Sequence, residues 1–167
     1  MAADEQQRIC GCANVNLFQG FFQLGYVGAD LDAAVETIRR DYGVTKYRLS
    51  QKFDWLRQAH TWVGDLMIEI NIPARGMVPA FDDYIPQDPA TVNLHHLAYM
   101  LPDEAAWEAT CAQIEAAGMP LAASATMFDG EMKAMYVDTR RTLGHYSEFL
   151  LLTGSARDTF YADVPRN

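Results

Sequence analysis

Four residues of types that bind divalent metals occupy related places in the sequence. Gln23 lies in the run FFQLGYVG, and His96 lies in NLHHLAYML, 73 positions later. A glutamate closes each half of the chain: Glu69 in LMIEINIP and Glu148 in GHYSEFLL. Because ligand types recur at equivalent places, we predict that Gln23, Glu69, His96 and Glu148 hold one metal ion between two half-barrels.

The two halves repeat one order of secondary-structure elements. The runs QLGYVGADLDAA and HLAYMLPDEAAW each carry a tyrosine and an aspartate at matching offsets. In each half a strand precedes a helix, which Asp30 or Asp103 caps and which Gly43 or Gly118 ends. Three strand-like runs follow, so each half is predicted to be a βαβββ module.

This order predicts an α+β fold in which two βαβββ modules form an incomplete β-barrel. Prolines between Pro73 and Pro89 indicate a linker, because proline neither donates to a sheet nor continues a helix. We expect the C-terminal tail to be peripheral. The predicted segments are an N-terminal tail (1–19), module one (20–72), the linker (73–92), module two (93–153) and the C-terminal tail (154–167).

Alternation along two strands predicts which side chains face the cavity. In LMIEINI the even-numbered residues are apolar, whereas Met67, Glu69 and Asn71 alternate with them and face a cavity with a polar floor. The same rule places His95 and His96 on opposite faces of their strand. We therefore expect only His96 to face the cavity.

Charge and apolar patterning exclude several classes of function. A net charge of -9 argues against a nucleic-acid partner. Charged residues interrupt every long apolar stretch, which excludes a membrane span, and the start has no secretory signal pattern, so we expect a cytoplasmic protein. Cys10, Cys12 and Cys111 are expected to be reduced thiols. The C-x-C spacing of Cys10 and Cys12 indicates either a metal pair or simply part of a mobile tail.

Residues 20 to 152 resemble the vicinal oxygen chelate (VOC) superfamily, which includes glyoxalase I, methylmalonyl-CoA epimerase, extradiol dioxygenases and bleomycin-resistance proteins. The resemblance implies paired βαβββ modules around a divalent metal, with Gln23, Glu69, His96 and Glu148 as ligands. The segment DTRRTLGHYSEFLLL is similar to the end of bacterial glyoxalase-like members. One imidazole and three oxygen ligands suit zinc, nickel, cobalt, manganese or iron.

The resemblance implies a metal-dependent glyoxalase- or epimerase-type isomerase or lyase, which moves a proton next to a carbonyl of a small organic substrate. Glu148 is the predicted catalytic base, with the metal as electrophile. His60, Tyr136 and Tyr146 are predicted substrate contacts, and Arg140 with Arg141 either meets an anionic substrate or forms a solvated turn. We also expect a homodimer.

Two alternatives remain open from the sequence. One is a non-catalytic small-molecule-binding protein like the bleomycin-resistance relatives, and the other is a ring-processing enzyme acting on an aromatic or terpenoid ketone. An extradiol dioxygenase fits less well, because such enzymes need two histidines and a glutamate for iron, whereas glutamine stands at position 23.

Overall fold

The computed structural model describes residues 15–167, apart from the side chain of Lys52. Cys10 and Cys12, and with them both interpretations of the C-x-C spacing, lie outside the described residues. Cys111 is a free thiol, as expected. Within residues 15–167, no helix has the length and apolar character needed to cross a bilayer.

The element order repeats βαβββ, as predicted. Short helices are added in the linker, before the last strand and after it. The elements are β1 (Phe21–Gly28), α1 (Leu31–Tyr42), β2 (Arg48–Phe53), β3 (Leu56–Val63), β4 (Leu66–Pro73), α2 (Pro79–Asp82), β5 (Val92–Leu101), α3 (Glu104–Ala116), β6 (Leu121–Met127), a 3₁₀ turn (Phe128–Gly130), β7 (Met132–Val137), α4 (Arg140–Leu143), β8 (Tyr146–Leu152) and α5 (Gly154–Thr159).

All eight strands form one sheet in the order β2-β3-β4-β1-β5-β8-β7-β6. In each module the first strand runs parallel to the last, β1 with β4 and β5 with β8. The modules join through the antiparallel pair β1 and β5. The four strands that carry the predicted ligands are therefore the four central strands of the sheet.

Matching caps begin the long helix of each module. The Asp30 carboxylate accepts a hydrogen bond from the Ala33 amide at 2.9 Å, and the Asp103 carboxylate accepts one from Ala106 at 2.8 Å. Both bonds satisfy backbone donors that the first helical turn leaves unpaired. Gly43 follows α1 in the left-handed conformation, which glycine adopts without steric cost. The predicted caps are confirmed.

Helices α1 and α3 cover the outer face of the sheet, one on each module. The even-numbered face of β4 is core in part: Ile70 is fully buried and packs with α1, Ile72 packs against the same cluster, and Leu66 and Ile68 are half-buried. A second cluster joins α3 to module two. The buried members of the two clusters are Leu31, Ala34, Ile38, Val44, Ala59 and Ile70, and Tyr99, Leu101, Ile114, Met135, Val137 and Phe149. The opposite, inner face of the sheet is left for the cavity.

The sheet curls so that its two ends meet across this cavity. Phe53 of β2 and Met127 of β6 both line it, although β2 and β6 lie at opposite ends of the strand order. The predicted incomplete β-barrel is confirmed.

The C-terminal tail is not peripheral, contrary to expectation. It returns to module one, where the Trp62 amide donates to Pro165 O at 2.9 Å and the Asn167 amide donates to Trp62 O at 3.0 Å. Strand β2 pairs with β3 only as far as His60, so the backbone groups of Trp62 need other partners. Tyr161, in the same tail, lines the cavity.

Candidate metal and active site

Three of the four predicted ligands meet at the centre of the sheet, and Gln23 is buried on the central strand β1, where it pairs with Ala98. Gln23, Glu69, His96 and Glu148 are 1%, 6%, 0% and 6% exposed. His96 Nε2 lies 3.1 Å from Glu148 Oε2 and 3.3 Å from Glu69 Oε2. The sequence therefore predicted correctly that residues far apart in the chain come together, although metal binding itself stays a prediction.

The donor atoms lie close together with unmet bonding capacity. Neither His96 Nε2 nor Gln23 Nε2 has a partner with hydrogen-bond geometry, and buried polar atoms seldom lack one. Ligands about 2.1 Å from a shared ion lie roughly 3.0–3.5 Å from one another. The spacing around His96 falls in this range, so the donor set fits a divalent ion.

The side chains nevertheless do not form a finished metal site. Among residues 15–167, no group of three or more His, Cys, Asp or Glu side chains is arranged to hold a metal ion. The His96 imidazole instead lies between the two carboxylates as an ion pair. Burial lowers the pKa of His96, but the negative charges of Glu148 and Glu69 outweigh burial and raise it to about 9.

A polar network fixes Glu69. Gln58 Nε2 and His60 Nε2 contact Oε1 at 3.0 and 2.9 Å, and Asn71 Nδ2 donates to Oε2 at 2.8 Å. Burial acts to raise the pKa of Glu69, but His60 and His96 reverse this effect and hold the pKa well below its usual range. Sequence reasoning placed Asn71 on the cavity face but missed Gln58, which lies two residues before His60 on the same face of β3.

Glu148 has fewer partners than Glu69. It lies opposite Tyr136 in the pairing of β7 with β8, and both residues line the cavity. Burial raises the pKa of Tyr136 well above its usual value, and the charges of Glu148 and Glu69 raise it further. The phenol therefore stays protonated and can donate to the Glu148 carboxylate.

His95 also lies on the inner side, which corrects the expectation that only His96 would. The β1–β5 register passes from Gly25↔His96 to Tyr26↔Leu94, so His95 is the extra residue of a β-bulge. A bulge interrupts alternation and redirects side chains. His95 Nδ1 lies 2.9 Å from His96 Nδ1, and the His95 ring stacks 4.5 Å from that of Phe81.

The bulge orients the His96 ring through a short relay. His95 Nε2 lies 2.9 Å from Ala80 O, and because a carbonyl oxygen only accepts, this nitrogen donates. Burial and the neighbouring His96 lower the pKa of His95 to about 3, so its Nδ1 carries a lone pair. His96 Nδ1 therefore donates to His95, and His96 Nε2 points toward the carboxylates.

Gly25 makes room for the same ring. A Cβ atom at Gly25 would lie 1.9, 2.0 and 2.4 Å from His96 Cε1, Nε2 and Nδ1. No side chain fits there, so the ring rests directly on the β1 backbone. Glycine inside a strand is the sequence signal for such a close approach.

Solved structures similar to this chain include methylmalonyl-CoA epimerases. One from Streptomyces coelicolor, bound to 2-nitronate-propionyl-CoA, aligns with a TM-score of 0.60 and 19% identity, over 81% of this chain and 99% of that chain. Another, from Mycobacterium tuberculosis, aligns with a TM-score of 0.62 and 17% identity, over 89% of this chain and 98% of that chain. No protein-family model and no curated protein sequence matches the chain.

The chain has the vicinal oxygen chelate fold. The predicted resemblance and fold class are confirmed at the level of the fold. Two pairings show the internal symmetry of this fold: Gly25 pairs with Glu69, and Ala98 pairs with Glu148. Each glutamate therefore lies beside the residue two positions after Gln23 or His96.

Within the vicinal oxygen chelate fold, the three predicted substrate contacts take different places. Tyr136 lines the cavity. His60 is turned toward Glu69, and Tyr146 packs its ring 4.7 Å from that of His95. Substrate contact stays a prediction for all three residues.

Proposed function

We propose that this chain is a metal-dependent isomerase or lyase that moves a proton on a carbon next to a carbonyl. The observation that carries this proposal is the convergence of Glu69, His96 and Glu148 at the floor of a largely apolar cavity. Both carboxylates line that cavity, where a bound substrate would meet them. The epimerases with the same fold support the choice of reaction type.

Gln23, Glu69, His96 and Glu148 would hold the metal. When bound, a divalent ion polarises a carbonyl oxygen and stabilises the negative charge that forms as the proton leaves. The orientation of His96 by His95 favours this assignment. Since the carboxylates now contact the imidazole, small rotations of these side chains would accompany binding.

The two glutamates have different roles in this proposal. Gln58, His60 and Asn71 hold both oxygens of Glu69, which suits a fixed ligand. Glu148 is less restrained and faces the cavity, so it is free to approach a substrate C–H and accept its proton. Tyr136, which lies opposite Glu148 on β7, can donate a hydrogen bond to its carboxylate.

Replacement of Glu148 by glutamine tests this assignment. Glu148→Gln keeps the size and an oxygen donor but removes the base, so we expect most metal to remain and turnover to fall at least about a hundredfold. Solvent deuterium exchange into a panel of ketones, aldehydes and thioesters, followed by NMR, measures turnover, and elemental analysis measures the metal. Glu108→Gln, on the exposed surface of α3, is the matched control. Equal exchange in Glu148→Gln and wild type would exclude Glu148 as the base.

A non-catalytic small-molecule-binding protein is the second candidate. One observation favours it: the charge of His96 is already balanced by Glu69 and Glu148 without a metal. In that case purified protein contains no stoichiometric metal, and a chelator does not weaken ligand binding. No deuterium exchange is seen with any of the ketones, aldehydes or thioesters.

A further inference from the structure

The cavity that leads to the glutamates has an apolar and aromatic wall. Its volume is about 190 Å³. Phe53 and Trp55 stack with ring centroids 5.6 Å apart, and Phe81, Phe160 and Tyr161 add further rings. The two charged groups of the described lining are Glu69 and Glu148; among the other polar lining residues, Gln58 and Asn71 contact Glu69 and Tyr136 lies opposite Glu148. Such a cavity favours a ligand with an apolar body and one polar end.

None of the described side chains that line the cavity is a lysine or arginine. Arg48 lies behind the wall, where Nη1 donates to Phe160 O at 2.6 Å and pairs with Asp163 at 2.7 Å. Arg140 pairs with Asp138 at 2.6 Å and stacks over the Tyr146 ring. The Arg48 guanidinium also lies over the rings of Phe160 and Tyr161 at 5.9 and 5.8 Å, with Nε and Nη2 buried and without a hydrogen-bond partner among the residues that the structure describes. Arg140 begins the short helix α4.

Charge therefore limits what the cavity accepts. A carboxylate or phosphate inside it would lose water, would find no cationic side chain among the described residues of the lining, and would lie near two glutamates. With a divalent ion at the floor, the ion and the two glutamates together would carry no net charge. The cavity is thus matched to an uncharged molecule.

Size limits the ligand further. A dry cavity of about 150 Å³ accommodates a benzene molecule. At about 190 Å³, this cavity has room for one ring and a short carbonyl-bearing group. It is smaller than the roughly 300–1,000 Å³ of sites that enclose drug-sized ligands.

We infer that the substrate is an uncharged carbonyl compound whose body is a single apolar ring, and not an acyl-CoA or a carboxylate. The carbonyl in this inference rests on the proposed function, whereas the ring and the absence of charge rest on the cavity alone. The substrate class thus differs from the CoA thioesters bound by the epimerases that share the fold.

Binding measurements separate this inference from the proposed reaction. The probes are α-hydroxyacetophenone, which is neutral and has one ring, its para-carboxylate derivative, and propionyl-CoA. Calorimetry with the full chain is expected to show binding of the neutral probe and at least about tenfold weaker binding of the two anionic probes. Deuterium exchange is recorded separately. If the protein prefers the neutral probe but catalyses no exchange, the proposed reaction is wrong and the inferred substrate class is still supported.

A variant that adds a positive charge to the cavity gives a second test. Ala125 lines the cavity from the exposed edge strand β6, where it lies opposite Ala134 of the same lining, so Ala125→Lys adds a cation with little disturbance of the core. We expect this variant to bind the para-carboxylate probe at least about tenfold more tightly than wild type does. Thr126→Lys, on the same strand but outside the lining, is the control and should not change binding. Wild-type binding of either anionic probe as tight as that of the neutral probe, or failure of the neutral probe to bind, would overturn the inference.

Discussion

Substitution of Gly25 by alanine tests how the His96 ring is held. The new Cβ would lie 1.9 to 2.4 Å from three ring atoms, whereas nonbonded heavy atoms require about 3.5 Å. The ring must therefore shift by more than about 1 Å. It has little freedom to do so, because His95 Nδ1 lies 2.9 Å away on one side and the Glu69 and Glu148 carboxylates lie on the other.

The expected cost is that of an overpacked core. Extra methyl groups in packed interiors destabilise proteins by about 1–3 kcal/mol. For a chain of this size, 1 kcal/mol lowers Tm by about 2–4 °C, so we expect a decrease of about 2–12 °C. Displacement of His96 Nε2 should also reduce the metal content. Calorimetric melting and elemental analysis measure the two effects.

A double-mutant cycle identifies the cause. In a His96→Ala background the ring is gone, so Gly25→Ala should lower Tm little or not at all. The two substitutions should therefore show a coupling free energy of at least about 1 kcal/mol. The same decrease in Tm in both backgrounds, or wild-type stability and metal content in Gly25→Ala, would refute the steric argument.

Two further predictions concern the orientation of His96 and assembly. His95→Phe keeps the ring that stacks on Phe81 but removes both the acceptor for His96 and the donor to Ala80 O. Titration calorimetry should show about 10- to 100-fold weaker metal binding, and Tm should fall because buried polar groups lose their partners; unchanged metal affinity would contradict the relay. We also expect light scattering to show a homodimer. Mixing Glu69→Ala chains with His96→Ala chains should restore no activity, because each chain supplies its own four central strands. A monomer, or recovery of activity on mixing, would contradict these expectations.

Local patterns were sufficient to predict the frame of the site. The alternation around Glu69 and the caps at Asp30 and Asp103 each depend on a few neighbouring residues, which the sequence displays directly. The repeat then brought Gln23, Glu69, His96 and Glu148 into one set. The structure brings Glu69, His96 and Glu148 into contact and places Gln23, buried, on the central strand β1.

Features that depend on pairing between strands were not predictable in the same way. The position of His95 follows from a bulge, and the bulge is set by the register of β5 against β1. Gln58 reaches Glu69 only because β3 pairs with β4. The tail docks through the backbone of Trp62, whose unpaired groups become apparent only when β2 is seen to stop short. In each case the interacting group belongs to another segment of the chain, which local sequence patterns do not identify.

The contact between Gly25 and the His96 ring links two positions in the history of the duplicated modules. Ala98 is the counterpart of Gly25, and it pairs with Gln23 as Gly25 pairs with His96. If the modules began as copies, a histidine could enter a ligand position only where the facing residue had lost its side chain. By the same reasoning, a histidine at Gln23 would first require glycine at Ala98. Whether glycine or alanine faces the ligand position would thus decide which half of the barrel can evolve an imidazole ligand.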